Sequence, residues 1–264
     1  MSKEPSAMTS HPRIDAIYRY PVKGLSPEPL ARTELSARST IPCDRLYAIE
    51  NGPSDFDPAS PAYLPKIRFL MLMRNARLAE LRTTFEEATH TLAITAERRE
   101  QARGDLRTPE GRAVIERFLA EFCGPELRGP PKILHAPGHS FSDVARKVVS
   151  IINLASIAAI ETVTGAPVHP LRFRANVYVD GWPPWHEFDL LDREIALGSR
   201  ARLKIVKRIV RCAATEVDPD TGIRDLPIPQ TLMQTFGHMD CGIYGEVIEG
   251  GPIAVGDHVA LINA

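Results

Sequence analysis

Short, closely spaced runs of alternating apolar and polar positions dominate the chain and predict strands more often than helices. Ile14 to Tyr20 places Ile14, Ala16, Tyr18 and Tyr20 on one face, and Pro21 ends the run. Leu46 to Glu50 is a second short strand, closed by Asn51-Gly52. Arg77 to Arg82 and Thr91 to Thr95 predict an antiparallel pair with Thr84 to His90 between them. Val148 to Leu154 is a continuous apolar run, suited to a buried strand. Asn176 to Asp180, Glu194 to Leu197 and Arg202 to Val210 follow, the last two joined by Gly198-Ser199. The tail offers Gly245 to Ile248, Ile253 to Val255 and Val259 to Ile262, separated by turn residues at 249–252 and at Gly256-Asp257. Helical spacing occurs over Pro109 to Cys123, where Val114, Ile115, Phe118, Leu119 and Phe122 share a side before Gly124-Pro125. It recurs over Ala155 to Thr164, stopped by Gly165 and Pro167.

These elements predict a mainly β protein with a few helices (α+β), built as two β-barrel-like domains. The first spans 13–97, a connecting helical region 98–147, and the second domain 148–264. Residues 1–12 read as a disordered leader and Asn51 to Pro65, rich in Pro, Asp and Ser, as a surface loop. The 23 prolines and 17 glycines are scattered at element ends, as a loop-rich β protein requires.

Composition removes several function classes. A net charge of −1 over 264 residues supplies no basic field for nucleic acid. The N-terminus lacks an apolar signal core and no apolar run reaches membrane-spanning length. Four cysteines, Cys43, Cys123, Cys212 and Cys241, form no CxxC pair, which argues against a zinc knuckle or a disulfide scaffold. The reading is a cytoplasmic chain in a reducing compartment, with no membrane and no nucleic-acid partner. P-loop, GxGxxG, GxSxG and HExxH motifs are missing, and with them the usual signals of nucleotide, dinucleotide, serine-hydrolase and zinc-protease chemistry.

Candidate chemistry centres on Arg211-Cys212, at the end of a strand and six residues before the Asp218-Pro219-Asp220-Thr221-Gly222 turn. Most free cysteines are small buried hydrophobes. Here Arg211, Arg208 and Lys207 surround the thiol with positive charge, which favours the thiolate that binds soft metals. No second cysteine or histidine stands at ligand spacing, so other ligands would come from a cofactor or water. Lys23, in Tyr20-Pro21-Val22-Lys23-Gly24, follows a strand at a tight turn and can aim its ammonium at an anion, or be a solvated surface lysine. Arg45 can do the same or pair with Asp44. Arg172, Arg174 and Asn176 would project together from one strand face, either to solvent or into an anion pocket. His186-Glu187, Asp189 and His238 to Cys241 read as structural or substrate-proximal, and Trp182 and Trp185 as a packed loop.

Four segments in this order carry a resemblance: Tyr20 to Leu25 (YPVKGL), Phe173 to Val177 (FRANV), Arg211 to Gly222 (RCAATEVDPDTG) and Val255 to Val259 (VGDHV). Together they resemble the MOSC-domain proteins, with 148–264 as the MOSC domain and the first barrel as the N-terminal domain that precedes it. That family includes the amidoxime-reducing components and the C-terminal domain of molybdenum cofactor sulfurase. The resemblance implies a molybdenum cofactor of the molybdopterin type in a cleft between the domains, ligated through Cys212. It implies that Lys23 and Arg45 hold the cofactor phosphate and that Arg174, Asn176 and Arg211 make further contacts, with Asn153 and Ser156 near another such position. It implies an oxidoreductase that reduces small N-hydroxylated or N-oxygenated compounds. The electrons would come from an external donor, a ferredoxin, flavin or cytochrome-type reductase. Alternatives are a sulfur carrier using a Cys212 persulfide, or a non-enzymatic cofactor carrier. No pyridoxal phosphate is expected, because no aminotransferase-like region is present.

Overall fold

A computed structural model describes residues 11–262. The expected leader therefore lies outside the described residues, apart from His11 and Pro12. The first strands are β1 (Arg13–Arg19), β2 (Glu28–Leu30), β3 (Arg32–Leu35) and β4 (Ala48–Asn51). Then come β5 (Arg82–Glu86), β6 (Thr91–Ala96), β7 (Arg99–Asp105), helix α1 (Pro109–Cys123) and β8 (Pro131–Leu134). The second half holds β9 (Val149–Asn153), α2 (Leu154–Thr164), β10 (Val177–Asp180), β11 (Glu194–Leu197) and β12 (Ala201–Val210). It ends with α3 (Ile228–Phe236), β13 (Asp240–Glu249), β14 (Gly251–Ala254) and β15 (Val259–Ile262). Among the described residues, no helix is long and apolar enough to cross a membrane.

The fold is mostly β. Eight strands form one sheet in the order β15-β11-β12-β13-β9-β10-β1-β2. Its pairs are antiparallel except β9 with β10, which are parallel and joined through α2. The sheet curls until its two sides meet: Ile14 N–H donates to Asp257 O at 2.8 Å, and Val259 N–H to Pro12 O at 2.8 Å. Inside lies a core of Ile14, Ile17, Val149, Ile151, Val179, Ile205 and their neighbours. The outer face of β9 and β10 packs Ile152 and Tyr178 against Ile157 and Ile160 of α2 and Ile228 and Leu232 of α3.

A separate core joins β4–β8, the β5-β6-β7 sheet and α1. α1 begins as its sequence dictates: Thr108 accepts a hydrogen bond from Gly111 N–H, and Pro109 sits in the first turn, where no donor is missed. Ile115, Leu119 and Cys123 are its buried face.

Three expectations about local structure need correction. A β-bulge between Ile14 and Ala16 breaks the alternation of β1. Ile14 and Ile17 consequently share the barrel interior, while Ala16 and Tyr18 face the outer cluster. Arg77 to Arg82 is mostly a 3-10 turn (Ala76–Glu80), and the strand starts at Arg82 to form a tight hairpin with β6. Pro170–Phe173 is also a 3-10 turn and Arg174 has φ of 51°, so Arg172, Arg174 and Asn176 do not share a strand face.

The large sheet also crosses the expected boundaries near 97 and 147. β1 and β2 belong to the sheet of the later strands, whereas β7, α1 and β8 complete the core begun by β4.

Candidate functional site

A cleft of about 240 Å³ lies between the two cores. Residues 20–25 leave the barrel sheet and enter the second core, and Lys23 sits at that passage. Gly24 has φ of +87°, and a Cβ there would stand 2.8 Å from the Leu70 carbonyl oxygen. The turn thus requires glycine and fixes the lysine beside it. Lys23 is 5% exposed; its Nζ donates to Phe141 O at 2.9 Å and to the Asp143 carboxylate. Burial pulls the Lys23 ammonium below its ordinary range, opposed by the attraction of Asp143. Burial works to raise Asp143, but Lys23, Lys66 and Arg45 hold it well below the usual carboxylate range.

Two guanidinium groups stand next to Lys23. Arg45, in a left-handed backbone position, donates to Asp44 Oδ2 at 2.5 Å and to Arg174 O at 3.1 Å. Arg174 donates to Leu25 O at 2.8 Å. Both lie against the Tyr20 ring, 4.8 and 4.3 Å from its centroid. Burial lowers Arg174, and the nearby charge of Arg45 adds to the effect. Guanidinium groups lining a cleft are chemically able to receive an anion.

Cys212 is half-buried where β12 ends, and its carbonyl accepts from Thr215 Oγ1 at 3.0 Å. Its Sγ is 3.1 Å from Lys66 Nζ. Burial works to lower the Lys66 ammonium, yet Asp143 and Cys212 bring it above its ordinary value. Burial pushes the Cys43 and Cys123 thiols up to about 11 and Cys241 to about 12, which disfavours their thiolate forms. Arg211 is buried, with Nε 2.7 Å from Cys241 O and Nη1 2.9 Å from Phe173 O. Its hydrogen bonds are made to the chain itself, and it anchors the strand end that carries Cys212. Gly242 lies against it: φ is +81°, and an added Cβ would be 3.0 Å from Arg211 Nη2 and 2.6 Å from Ile151 O.

Lys23, Arg45, Arg174, Arg211 and Cys212 thus meet at one cleft, although they are separated by up to 189 positions in the chain. Asn176 stands behind its wall, accepting from Ser150 Oγ at 2.7 Å and donating to Tyr18 O at 3.1 Å. Asn153 and Ser156 do not line the cleft. Asn153 caps α2 by accepting from Ala155 N–H and donates to Glu187 Oε2 at 2.9 Å, as does the Ser156 hydroxyl. Glu187 is fully buried and raised by that burial, against the opposing effect of these donors. The three form an internal polar knot tying α2 to residues 183–187.

The sequence reading missed Lys66, Asp143 and Tyr244, which line the same cleft. It also left the role of Arg172 open. That side chain lines the cleft but is bonded to Asp218 Oδ2 at 3.1 Å and Asp225 Oδ1 at 2.7 Å, so it holds the loop after Cys212. The Asp-Pro-Asp-Thr-Gly turn is a real turn, closed by Gly222 N–H donating to Asp218 O at 3.0 Å.

Residues 11–121 match the family model of the MOSC N-terminal beta barrel domain, and residues 136–260 match that of the MOSC domain. The chain belongs to the MOSC-domain proteins. Among curated relatives, mitochondrial amidoxime reducing component 2 of Bos taurus is 32% identical over 123 residues. The match spans 42% of this MOSC protein and 36% of that relative's length. The structure of the YUAD protein from Bacillus subtilis is 13% identical with a TM-score of 0.45, covering 95% of this chain and 94% of that one. YiiM from Geobacillus stearothermophilus is 21% identical with a TM-score of 0.35, covering 44% and 54%.

Proposed function

We propose that this MOSC protein binds a molybdenum cofactor of the molybdopterin type in the cleft and reduces N-hydroxylated or related N-oxygenated compounds. The observation that carries the reading is a lone thiol, Cys212, at a cleft lined by eight basic side chains and one carboxylate, Asp143. Among the described residues, no group of three or more His, Cys, Asp and Glu side chains could hold a metal. A single thiolate suits a metal that arrives with most of its ligands, and a cationic floor suits a ligand that carries a phosphate. The residues present therefore fit this cofactor.

In this reading Cys212 is the protein ligand to molybdenum. Lys23, Arg45 and Arg174 hold the phosphate, with charges already desolvated and fixed by their own hydrogen bonds. Arg211 keeps the end of β12 in place, and Asn176 braces the wall through Ser150. When bound, the cofactor would take the oxygen atom and give up two electrons to the substrate. The four cysteines are too dispersed for an iron–sulfur cluster, and the reading takes the electrons from an external donor. The amidoxime-reducing relative supports the reaction class.

The test is molybdenum content and turnover of benzamidoxime with a chemically reduced viologen. Cys212→Ala is expected to abolish turnover and remove most of the molybdenum. Full occupancy with normal turnover in that variant would sink the ligand assignment. The Lys66–Cys212 contact also suits an anionic persulfide, so a sulfur carrier is the second reading. Cyanide-labile sulfur in a chain without molybdenum selects it, whereas bound molybdenum without turnover selects a cofactor carrier.

A further inference from the structure

A second cavity, of about 270 Å³, adjoins the cleft and shares Gly24, Leu72, Arg172 and Arg174 with its lining. Its other walls come from three parts of the chain: the turn between β1 and β2, residues 78–83 leading into β5, and the loop after Cys212. Leu25, Leu78, Leu81 and Val217 line it and are fully buried. Arg82 Nη2 donates to Asp220 Oδ1 at 2.9 Å and ties the second of these walls to the third.

This aliphatic lining meets two guanidinium groups with donors to spare. Arg172 is buried, and its Nη atoms are taken by Glu216 O, Asp218 and Asp225. Its buried Nε has no acceptor among the described residues. A buried donor left unpaired is costly, so such an atom calls for a partner. Arg174 donates to Leu25 O and, among the described residues, forms no ion pair with a carboxylate. Lys23, Arg45, Arg82 and Arg172 each have one: Asp143, Asp44, Asp220 and Asp218. Asp220 is the carboxylate lining the second cavity, and Arg82 already holds it on the exposed side.

We propose that this cavity is a second binding site, for a small carboxylate with an apolar tail. The tail lies among the leucines and the carboxylate on the Arg172–Arg174 side. A bare inorganic anion would leave the aliphatic walls without contact, and a neutral hydrocarbon would leave the guanidinium donors unmet. A cavity of about 150 Å³ holds benzene, so 270 Å³ admits a tail of about six carbons with its headgroup. The proposal does not rest on the cofactor reading, because Cys212, Lys66 and Asp143 line the cleft and not this cavity.

Calorimetric titration of the purified full chain compares hexanoate with acetate and with hexanol. Hexanoate is expected to bind at least about tenfold more tightly than either, since each buried methylene gains about threefold and a hydrogen bond to a charged group about tenfold. Leu171→Trp and Thr83→Trp each fill the cavity from a half-buried position that does not line the cleft. Each should weaken hexanoate binding at least about tenfold with the urea midpoint nearly unchanged. Lys207→Gln, in the cleft, should leave hexanoate affinity as it is. Equal affinity for hexanoate and acetate would assign the binding to the cationic cleft and overturn the proposal. Equal affinity for hexanoate and hexanol, no binding at millimolar hexanoate, full affinity in either folded tryptophan variant, or loss of affinity in Lys207→Gln overturns it as well. Nuclear Overhauser contacts from the hexanoate methyl group place the tail without any substitution. They are expected to reach Leu78 and Leu81, and contacts to Tyr244 instead would put the tail in the cleft and overturn the assignment.

Discussion

Replacing Lys23 with methionine separates an anchor for a ligand from a brace for the fold. The lysine is 5% exposed and its charge is disfavoured by burial more than Asp143 repays it. A depressed lysine means the folded state holds this proton less tightly than the unfolded chain does. Stability from this group therefore rises with pH between the depressed value and the ordinary 10.5, and at neutral pH the charge is a net burden. Methionine fills a similar volume without charge. Removing one partner of a buried ion pair commonly costs about 3–5 kcal/mol, because the other charge is left unpaired. The Phe141 carbonyl also loses its donor, which costs about 1 kcal/mol. Asp143 has 46% of its side chain exposed and keeps Lys66 and Arg45 nearby, which cuts the first cost. Relief of the buried ammonium offsets most of the remainder, so the expected outcome is a ligand-free chain within about 2 kcal/mol of the parent. Urea midpoints measure this, and the alkaline rise in stability should flatten in the variant. Molybdenum content of the same variant should fall severalfold. Destabilisation above about 2 kcal/mol with undiminished molybdenum would refute the reasoning and make Lys23 a structural residue.

Two further substitutions probe how Cys212 is held. Gly242→Ala places a methyl group 2.6 Å from Ile151 O and 3.0 Å from Arg211 Nη2, at φ of +81°. A loss of about 2–4 kcal/mol is expected in urea unfolding, and a neutral result would mean that β13 shifts easily there. Arg172→Met leaves Asp218 and Asp225 facing an apolar side chain. Both aspartates are partly solvated, so the expected loss is about 1–3 kcal/mol, with faster proteolysis confined to the 213–226 loop; uniform protection of that loop would show that Arg172 does not secure it.

Periodicity made much of the large sheet legible. β9, β10 and β11 bury hydrophobics in runs or strict alternation, β12 alternates as far as Ile205, and each was readable. β7 was not, because Arg99 to Gln101 and Arg103 are exposed and only Ala102 and Gly104 turn inward. β2 and β3 are three and four residues long, too short for any period to declare itself. Helix α3 carried a signal that went unread: Ile228, Leu232 and Phe236 stand four apart behind Pro227. At the cleft, Lys23, Arg45, Arg174 and Cys212 were found because they sit in recognisable motifs. Lys66 sits in none; its contact with Cys212 spans 146 positions and is made only by the fold. Asn153 and Ser156 were placed near the cofactor by analogy, and a buried glutamate that no local pattern announces claims their side chains instead.

The position of β1 in the large sheet bears on how the chain is made. Its neighbour on one side is β10, more than 150 residues later, and its start is pinned by residues 256–259. A nascent chain emerging from the ribosome must carry this strand without its main partners until most of the sequence has been synthesised. The second core can assemble early from β4 to β8, since its members are close in sequence, but it must do so beside a β1 that has only the short β2 to pair with. The barrel is thus a late event in synthesis. Because Lys23 follows shortly after β1, the cleft that brings it together with Cys212 exists only once that event is complete.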